Sequence, residues 1–310
     1  MGHNHAHDHS GCDHGNVTNV RMGWSVALTL AFVAVEATVG WWADSLGLLS
    51  DAGHNLSDAA ALLLSWWAMR AADRPATRGM TYGFHRVGIL AALVNALALV
   101  VMAVWIFYEA IERLRTPAEV QGVPMIVTAL IAVAMNLLIG SWLHAGRHDL
   151  NIRSAYIHML GDAASSGGVA LAGLFIALTG NTLADPLVSL LVGVLVLVSS
   201  WQIIRESVVV LLEGTPAGLD MVAVESSIKL VPGVLAAHDL HVWMIGSGVI
   251  ACSCHVVVAE QSVTSGQRVR EAVETALHEQ FRINHTTIQV ETEGCESAAM
   301  YCSVETLRKK

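Results

Sequence analysis

Two copies of one short pattern place a histidine and an aspartate four residues apart inside otherwise apolar segments. They are His54 with Asp58, and His158 with Asp162. Residues four apart lie on the same face of a helix, so each copy presents an imidazole beside a carboxylate. Two such helices facing each other offer the tetrahedral nitrogen and oxygen set that Zn²⁺ accepts. Because ionisable groups at membrane depth are costly, two matched pairs favour a metal pathway over isolated hydrogen bonds between helices.

These four side chains also predict competition between metal ions and protons. A neutral imidazole and an ionised carboxylate bind Zn²⁺, whereas a protonated imidazole does not. Histidine changes protonation state near neutral pH, so protons arriving from one side can displace metal that entered from the other. Three nearby polar residues are candidates for lesser roles. Asp51 could orient His54 or carry a helix-terminal charge, and Glu36 and Asn95 are more simply packing or hydrogen-bonding residues.

The composition is that of a membrane protein. The 310 residues are 54% hydrophobic and only 14% charged, against about 25% charged in a typical soluble domain. Mean hydropathy is +0.54. The net charge of -9 argues against a nucleic acid partner. The polar, His-rich start lacks a basic region leading into an apolar core, so it is not a signal peptide. Five cysteines, all outside the apolar segments, suit reduced thiols or metal ligands in the cytoplasm.

The apolar segments predict a membrane domain of six helices. A span needs about 20 mostly apolar residues, and the candidate spans cover residues 22–42, 46–69, 87–110, 123–143, 155–179 and 186–204. The predicted domains are a His-rich tail (1–20), a membrane domain (21–212), a soluble domain (213–292) and a Cys-containing tail (293–310).

Positive charge in the short loops predicts that both termini are cytoplasmic. The second and fourth loops carry six arginines, and the first and fifth carry none. The third loop is the exception, since it contains Arg113 and Arg115 among three glutamates.

The soluble domain is predicted to have the order αββαβ. The segments are a helix at 219–230, strands at 235–244 and 249–258, a helix at 265–281 and a strand at 286–291. Gly246 and Gly248 predict a hairpin between the first two strands. This order gives a small ferredoxin-like sheet with helices on one face, a fold that also serves as a simple dimerisation module.

Four motifs in order make the chain similar to the cation diffusion facilitator family of proton-coupled metal exporters. They are HNLSD (54–58), TYGFHR (81–86), the His158–Asp162 pair and HDLHVW (238–243). The resemblance covers residues 24–291 and implies a homodimer of six-span protomers, with cytoplasmic ferredoxin-like domains and alternating access. The resemblance therefore implies a membrane α-helical fold in a bacterial inner membrane, and a secondary transporter and not an enzyme.

The pair of His-Asp motifs resembles the zinc-preferring members, including bacterial cation efflux proteins and vesicular zinc transporters. Zn²⁺ is the implied cargo and a possible regulator, with Co²⁺, Cd²⁺ and Ni²⁺ as alternative cargoes. Members that prefer manganese carry aspartate in place of both histidines, which fits the harder character of Mn²⁺.

The resemblance also implies metal sites in the soluble domain. His238, His255 and Glu291 match its ligand positions, while Gln289 stands where some relatives have histidine. His241 lies three residues after His238, so without a bulge the two side chains point to opposite faces of a strand. By the same alternation Cys252 and Cys254 face away from His255. We therefore exclude His241 and both cysteines from the primary site.

Further candidate ligands lie in the loop after the second span and in the two tails. His85 is the remaining histidine of that loop, and is otherwise a polar residue before the third span. Cys295 and Cys302 are too far apart for a local zinc hook, but in relatives such cysteines join one from the N-terminus, here Cys12. The surrounding His-rich tract is typical of a flexible metal-collecting tail, the alternative being plain disorder.

Two other functions are weaker interpretations of the same residues. An intramembrane zinc protease needs a glutamate base in H-E-x-x-H, and Asn55 and Met159 follow the two histidines instead. A metal sensor or metal-gated passive channel would use the same soluble-domain ligands, and current without proton coupling would favour it.

Overall fold

The computed structural model describes residues 14–144, 150–246, 248–293 and 300. Two compact units divide the chain, the first within Met1–Leu63 and Asn95–Trp201, the second within Leu64–Val94 and Gln202–Lys310. Cys12, Cys295 and Cys302 lie outside the described residues, so their predicted role as ligands stays a prediction.

Each predicted span lies within one long helix. The helices are α1 (His14–Trp42), α2 (Leu46–Ala72), α3 (Val87–Arg115), α4 (Gly122–His144), α5 (Leu150–Thr179) and α6 (Ala184–Leu211). They extend beyond the apolar segments because backbone hydrogen bonding within a helix does not require burial. Helix α1 thus begins inside the predicted tail. Among the described residues, α3 to α6 contain segments that are long and apolar enough to cross a membrane. Helix α1 contains a shorter apolar segment, Ala27–Trp42. The sequence of α2 is interrupted by polar residues.

A buried aspartate anchors the beginning of α2, the helix that carries His54 and Asp58. Asp185, in the first turn of α6, accepts hydrogen bonds from the Leu46 and Gly47 backbone amides at 2.7 and 3.0 Å. These amides belong to the first turn of α2 and have no partner within the helix. The carboxylate therefore satisfies them and also complements the helix dipole.

Arg113, one of the two arginines in the exceptional third loop, is surrounded by acidic side chains. Arg113 donates to the Asp44 carboxylate at 2.8 Å and to Glu109 at 3.0 Å, and lies 3.9 Å from Asp185. Its charge is therefore balanced locally, which explains why the third loop departs from the pattern of the others.

Helices α4 and α5 approach closely at a pair of glycines. A side chain at Gly122 would lie 2.6 Å from the Gly173 carbonyl oxygen, and one at Gly173 would lie 3.1 Å from the Gly122 carbonyl oxygen. Small residues at this contact allow the two backbones to pack together.

The soluble part of the second unit has the predicted order αββαβ. Its elements are α7 (Met221–Lys229), β1 (Val234–Gly246), β2 (Val249–Val258), α8 (Val263–Phe281) and β3 (His285–Glu291). The described sheet has the order β1-β2-β3, with β1 and β2 antiparallel and β2 and β3 parallel. The buried core includes Val224, Leu240, Val256 and Leu277. The opposite face of the sheet presents His255 and its neighbours.

Candidate metal centres

Helices α2 and α5 bring the two predicted His-Asp pairs together in the first unit. Across the two helices, His54 Nε2 lies 3.2 Å from Asp162 Oδ1, and His158 Nε2 lies 3.3 Å from Asp58 Oδ2. Within each helix, the nitrogen-to-oxygen distances are 3.6 Å, from His54 to Asp58 and from His158 to Asp162. Each carboxylate therefore contacts both imidazoles.

The four nitrogen-to-oxygen separations are close to those of neighbouring ligands around a tetrahedral ion. Ligand atoms about 2.0–2.1 Å from Zn²⁺ in tetrahedral geometry are about 3.3–3.4 Å apart. The four nitrogen-to-oxygen distances range from 3.2 to 3.6 Å. The imidazole rings are edge-to-face with centroids 6.1 Å apart. The ligand atoms of His54, Asp58 and Asp162 all lie within 4.8 Å of one another, and His158 is outside that group. Two nitrogens and two carboxylates could hold one borderline-soft cation once His158 moves closer.

The four candidate ligands differ in burial although their sequence motifs are identical. The exposed fractions of the side chains are 7% for Asp162, 16% for His54, 31% for Asp58 and 47% for His158. Each motif contributes one better-buried and one more exposed ligand. The pairs are therefore not equivalent in their electrostatic environment, since exposed charges are screened by solvent.

The predicted role of Asp51 in orienting His54 is wrong. Asp51 instead accepts hydrogen bonds from Ser166 at 2.6 Å and Ser165 at 3.4 Å, and His54 Nδ1 is buried without a hydrogen-bond partner among the described residues. Glu36 accepts a hydrogen bond from the side-chain amide of Asn55, the residue after His54, at 3.0 Å.

Asn95 has the hydrogen-bonding role that its residue type predicts. Its side-chain amide donates to the Ser57 hydroxyl at 2.8 Å and lies 3.4 Å from the Ser57 carbonyl oxygen. This contact links α3 to α2 one residue before Asp58, so Asn95 supports the helix that carries the ligand.

A second candidate metal centre lies on the open face of the soluble sheet, with one residue from each strand. His238 and His255 are directly paired between β1 and β2, and Glu291 ends the neighbouring strand β3. His238 Nε2 lies 3.4 Å from Glu291 Oε2, and His255 Nδ1 lies 2.9 Å from Glu291 Oε1. Both nitrogens are buried, and neither has a hydrogen bond of acceptable geometry within the part of the chain that the structure describes. Side chains that are close but misaligned in this way fit ligands converging on a cation.

Strand alternation gave the wrong face for His241. His238 pairs with His255 and His241 pairs with Ser253, so three steps on β1 match two on β2. This bulge occurs where Asp239 has a left-handed φ of 50°, and it returns His241 to the face of His238. The prediction that these two histidines face opposite ways is therefore wrong. His241 lies at the edge of the cluster, with its Nε2 3.1 Å from Asp239 Oδ1.

Asp239 is the residue of this face that the sequence interpretation missed. Asp239 Oδ2 lies 3.8 Å from His255 Nε2. Its position between His238 and His241 was the available signal, although strict strand alternation would have placed it on the face opposite His238.

The two cysteines of β2 face away from this cluster, as predicted. Cys252 and Cys254 are buried in the hydrophobic core under the helices. A hydrogen bond with Cys254 and burial raise the pKa of the Cys252 thiol. A thiol that keeps its proton is a poor metal ligand, which applies to Cys252. Cys254 lies in the same core, away from the histidines, so both residues serve packing.

Of the remaining candidates, Gln289 lies beside the soluble cluster and His85 lies outside both groups of ligands. Gln289 pairs with His255 in the sheet and donates to Glu291 Oε1 at 2.6 Å, so it supports that carboxylate. His85 precedes α3 and packs against Gly246, where an added side chain would come within 2.5 Å of its Cβ. Among the described residues, His85 belongs to neither group of converging ligands.

Comparison with protein families finds two matches that together cover most of the chain. The family described as the cation efflux transmembrane domain matches residues 24–212. The family described as the cation efflux protein, cytoplasmic domain, matches residues 216–293.

Curated relatives resemble the chain over almost its full length. A cadmium, cobalt and zinc/H(+)-K(+) antiporter from Bacillus velezensis is 38% identical, covering 94% of this chain and 92% of that protein. The zinc transporter ZitB from Escherichia coli is 39% identical, covering 95% and 94%. The metal cation efflux system protein CzcD from Cupriavidus metallidurans is 37% identical, covering 96% and 93%.

One solved structure with high sequence similarity covers only the soluble part. It is the metal-bound C-terminal domain of the CzcD transporter, 37% identical, covering 24% of this chain and 99% of that one with a TM-score of 0.22.

Proposed function

The chain belongs to the cation efflux family, and on that premise we propose that it exports Zn²⁺ from the cytoplasm in exchange for protons. The observation that carries the proposal is that two imidazoles and two carboxylates meet across α2 and α5 in the membrane domain, at nitrogen-to-oxygen distances of 3.2–3.6 Å. They belong to His54, Asp58, His158 and Asp162. The relatives named as a zinc transporter and as a cadmium, cobalt and zinc antiporter support the cargo class. Co²⁺ and Cd²⁺ are the next candidates, followed by Ni²⁺.

The proposed architecture is a homodimer of six-span protomers in the bacterial inner membrane, with both termini in the cytoplasm. Helices α1 and α2 complete the six by spanning beside the four clearly apolar helices. The αββαβ domain is of ferredoxin-like type. The arginines of the second and fourth loops support the orientation, since positive charge favours the cytoplasmic side.

Exchange follows from the chemistry of the four membrane ligands. On the cytoplasmic side the neutral imidazoles and ionised carboxylates bind the ion and give up their protons. On the far side protons bind the same nitrogens and oxygens and release it. Because two of the four nitrogen-to-oxygen contacts join α2 to α5, a relative movement of these helices changes the access and the ligand geometry together.

The soluble cluster is proposed as a regulatory metal site. His238, His255 and Glu291 would hold a cation across three strands, which stiffens the sheet and shifts the conformational equilibrium of the transporter. His85, and Cys12 with Cys295 and Cys302, remain candidates for accessory capture of metal ions from the cytoplasm.

The test is transport by the full chain in sealed vesicles. We expect an imposed pH gradient to drive Zn²⁺ movement, Asp162→Ala to abolish it, and the exposed loop variant Glu119→Ala to retain it. Asp162→Asn, which keeps the side-chain shape, serves if the alanine variant does not fold. Undiminished transport by both Asp162 variants would refute the site. A Zn²⁺ current that ignores the pH gradient would replace antiport with a metal-gated channel.

A further inference from the structure

A second pair of ionisable groups is buried in the membrane domain outside the metal ligands. The Glu36 side chain on α1 is 0% exposed and that of Asp51 on α2 is 1% exposed. Among the described residues, no arginine or lysine forms an ion pair with either. Two ionised carboxylates without a counterion are unfavourable in such surroundings, because each charge lacks water and repels the other.

The hydrogen bonds around the pair leave one acceptor without a donor. Asp51 accepts from Ser166 at 2.6 Å and Ser165 at 3.4 Å, and Glu36 Oε2 accepts from the Asn55 amide at 3.0 Å. Glu36 Oε1 is buried and has no donor among the described groups. The Glu36 and Asp51 carboxyl groups are close enough to interact with each other.

A proton shared between the two carboxyl groups completes this arrangement. An ionised carboxylate is purely an acceptor, so two carboxyl groups can hydrogen-bond each other only when one is protonated. A shared proton satisfies the unpaired oxygen and removes one of the two buried charges. Two carboxylates that share a proton are a known solution when like charges are held together.

The pair lies beside the metal site and on the same helices. Asp51 is three residues before His54 on α2, and Ser166 is four residues after Asp162 on α5, about one helical turn in each case. The titratable groups facing the pair from these helices are His54 and Asp162. No atom of Glu36 or Asp51 forms a hydrogen bond or ion pair with a proposed metal ligand among the described residues.

We propose that Glu36 and Asp51 form a proton-binding site, distinct from the metal ligands, that holds one shared proton and releases it when metal binds. A divalent cation one turn away favours the fully ionised pair, and by reciprocity the retained proton weakens metal binding. The proton bonded between the two carboxyl oxygens leaves as H⁺ and both oxygens become carboxylate. This proposal rests on the proposed function, since it names a further proton carrier for the same exchange.

The first test counts protons released when Zn²⁺ binds. Full-length protein in lipid nanodiscs is titrated calorimetrically in buffers of different ionisation enthalpy. Glu36→Gln and Asp51→Asn should each release about one proton fewer per Zn²⁺ than the parent. Glu36→Asp, which keeps a carboxyl group, and the exposed control Glu119→Gln should match the parent. An unchanged proton count in both Glu36→Gln and Asp51→Asn would overturn the proposal.

The second test applies even to variants that no longer bind metal. Infrared spectra of the metal-free protein should contain the carbonyl band of a protonated carboxylic acid, and both Glu36→Gln and Asp51→Asn should lose that component. Persistence of the full band in both would overturn the proposal. Absence of Zn²⁺ movement by the parent under a pH gradient would instead refute the proposed antiport, whatever the infrared result.

Discussion

The unequal burial of the two His-Asp motifs predicts that their aspartates contribute unequally to metal binding. Asp162 is 7% exposed and Asp58 is 31% exposed, although each contacts both imidazoles. Removing one partner from a buried charged cluster costs about 3–5 kcal/mol, or about 100- to 5,000-fold in affinity. For Asp58 solvent screening reduces the cost to about 1–2 kcal/mol, or about 5- to 30-fold. Asp162→Asn should therefore weaken Zn²⁺ binding at least about fivefold more than Asp58→Asn.

The assay is Zn²⁺ titration of the full chain in nanodiscs against a competing indicator. Both variants are made in a background with His238→Ala and His255→Ala, so that the soluble cluster does not contribute. Asparagine keeps the side-chain volume, which limits the change to charge and basicity. Equal affinities for the two variants, or a larger loss in Asp58→Asn, would refute the reasoning from burial.

Three further predictions concern residues around these centres. Arg113→Gln should lower the thermal unfolding midpoint of the full chain, because Asp44 and Glu109 then lose their cationic partner. The neighbouring control Arg115→Gln should leave the midpoint unchanged. Equal midpoints for the two variants would show that the ion pairs of Arg113 do not stabilise the protein. His255→Ala should abolish the visible spectrum of Co²⁺ bound to the soluble cluster. Cys254→Ala should preserve that spectrum, since Cys254 faces the core. Loss of sulfur-to-metal bands in Cys254→Ala would show that the thiol binds the metal. At pH 8 an alkylating reagent should spare Cys252 in the folded protein and modify it after denaturation, because its hydrogen bond and burial raise the pKa of the thiol, and mass spectrometry locates the product.

Local periodicity was sufficient for most of the architecture. The apolar segments predicted the positions of all six long helices, and alternation with turn residues predicted the αββαβ order of the soluble domain. Alternation failed at Asp239, because a bulge inserts an extra residue and reverses the facing of those that follow. No local pattern in the sequence distinguishes a regular strand from one that contains a bulge of this kind.

The sequence by itself determined which chemistry the membrane site can perform. The four-residue spacing places each imidazole beside a carboxylate, and the residue types select Zn²⁺ and protons as competitors. Only the tertiary structure decided which oxygen meets which nitrogen across α2 and α5, and how deeply each ligand is buried. It also decided that Asp51 accepts hydrogen bonds from serines of α5 and forms none with His54 among the described residues. The physical reason is that spacing along one helix fixes the face of a side chain, whereas burial and partners depend on how separate helices pack together.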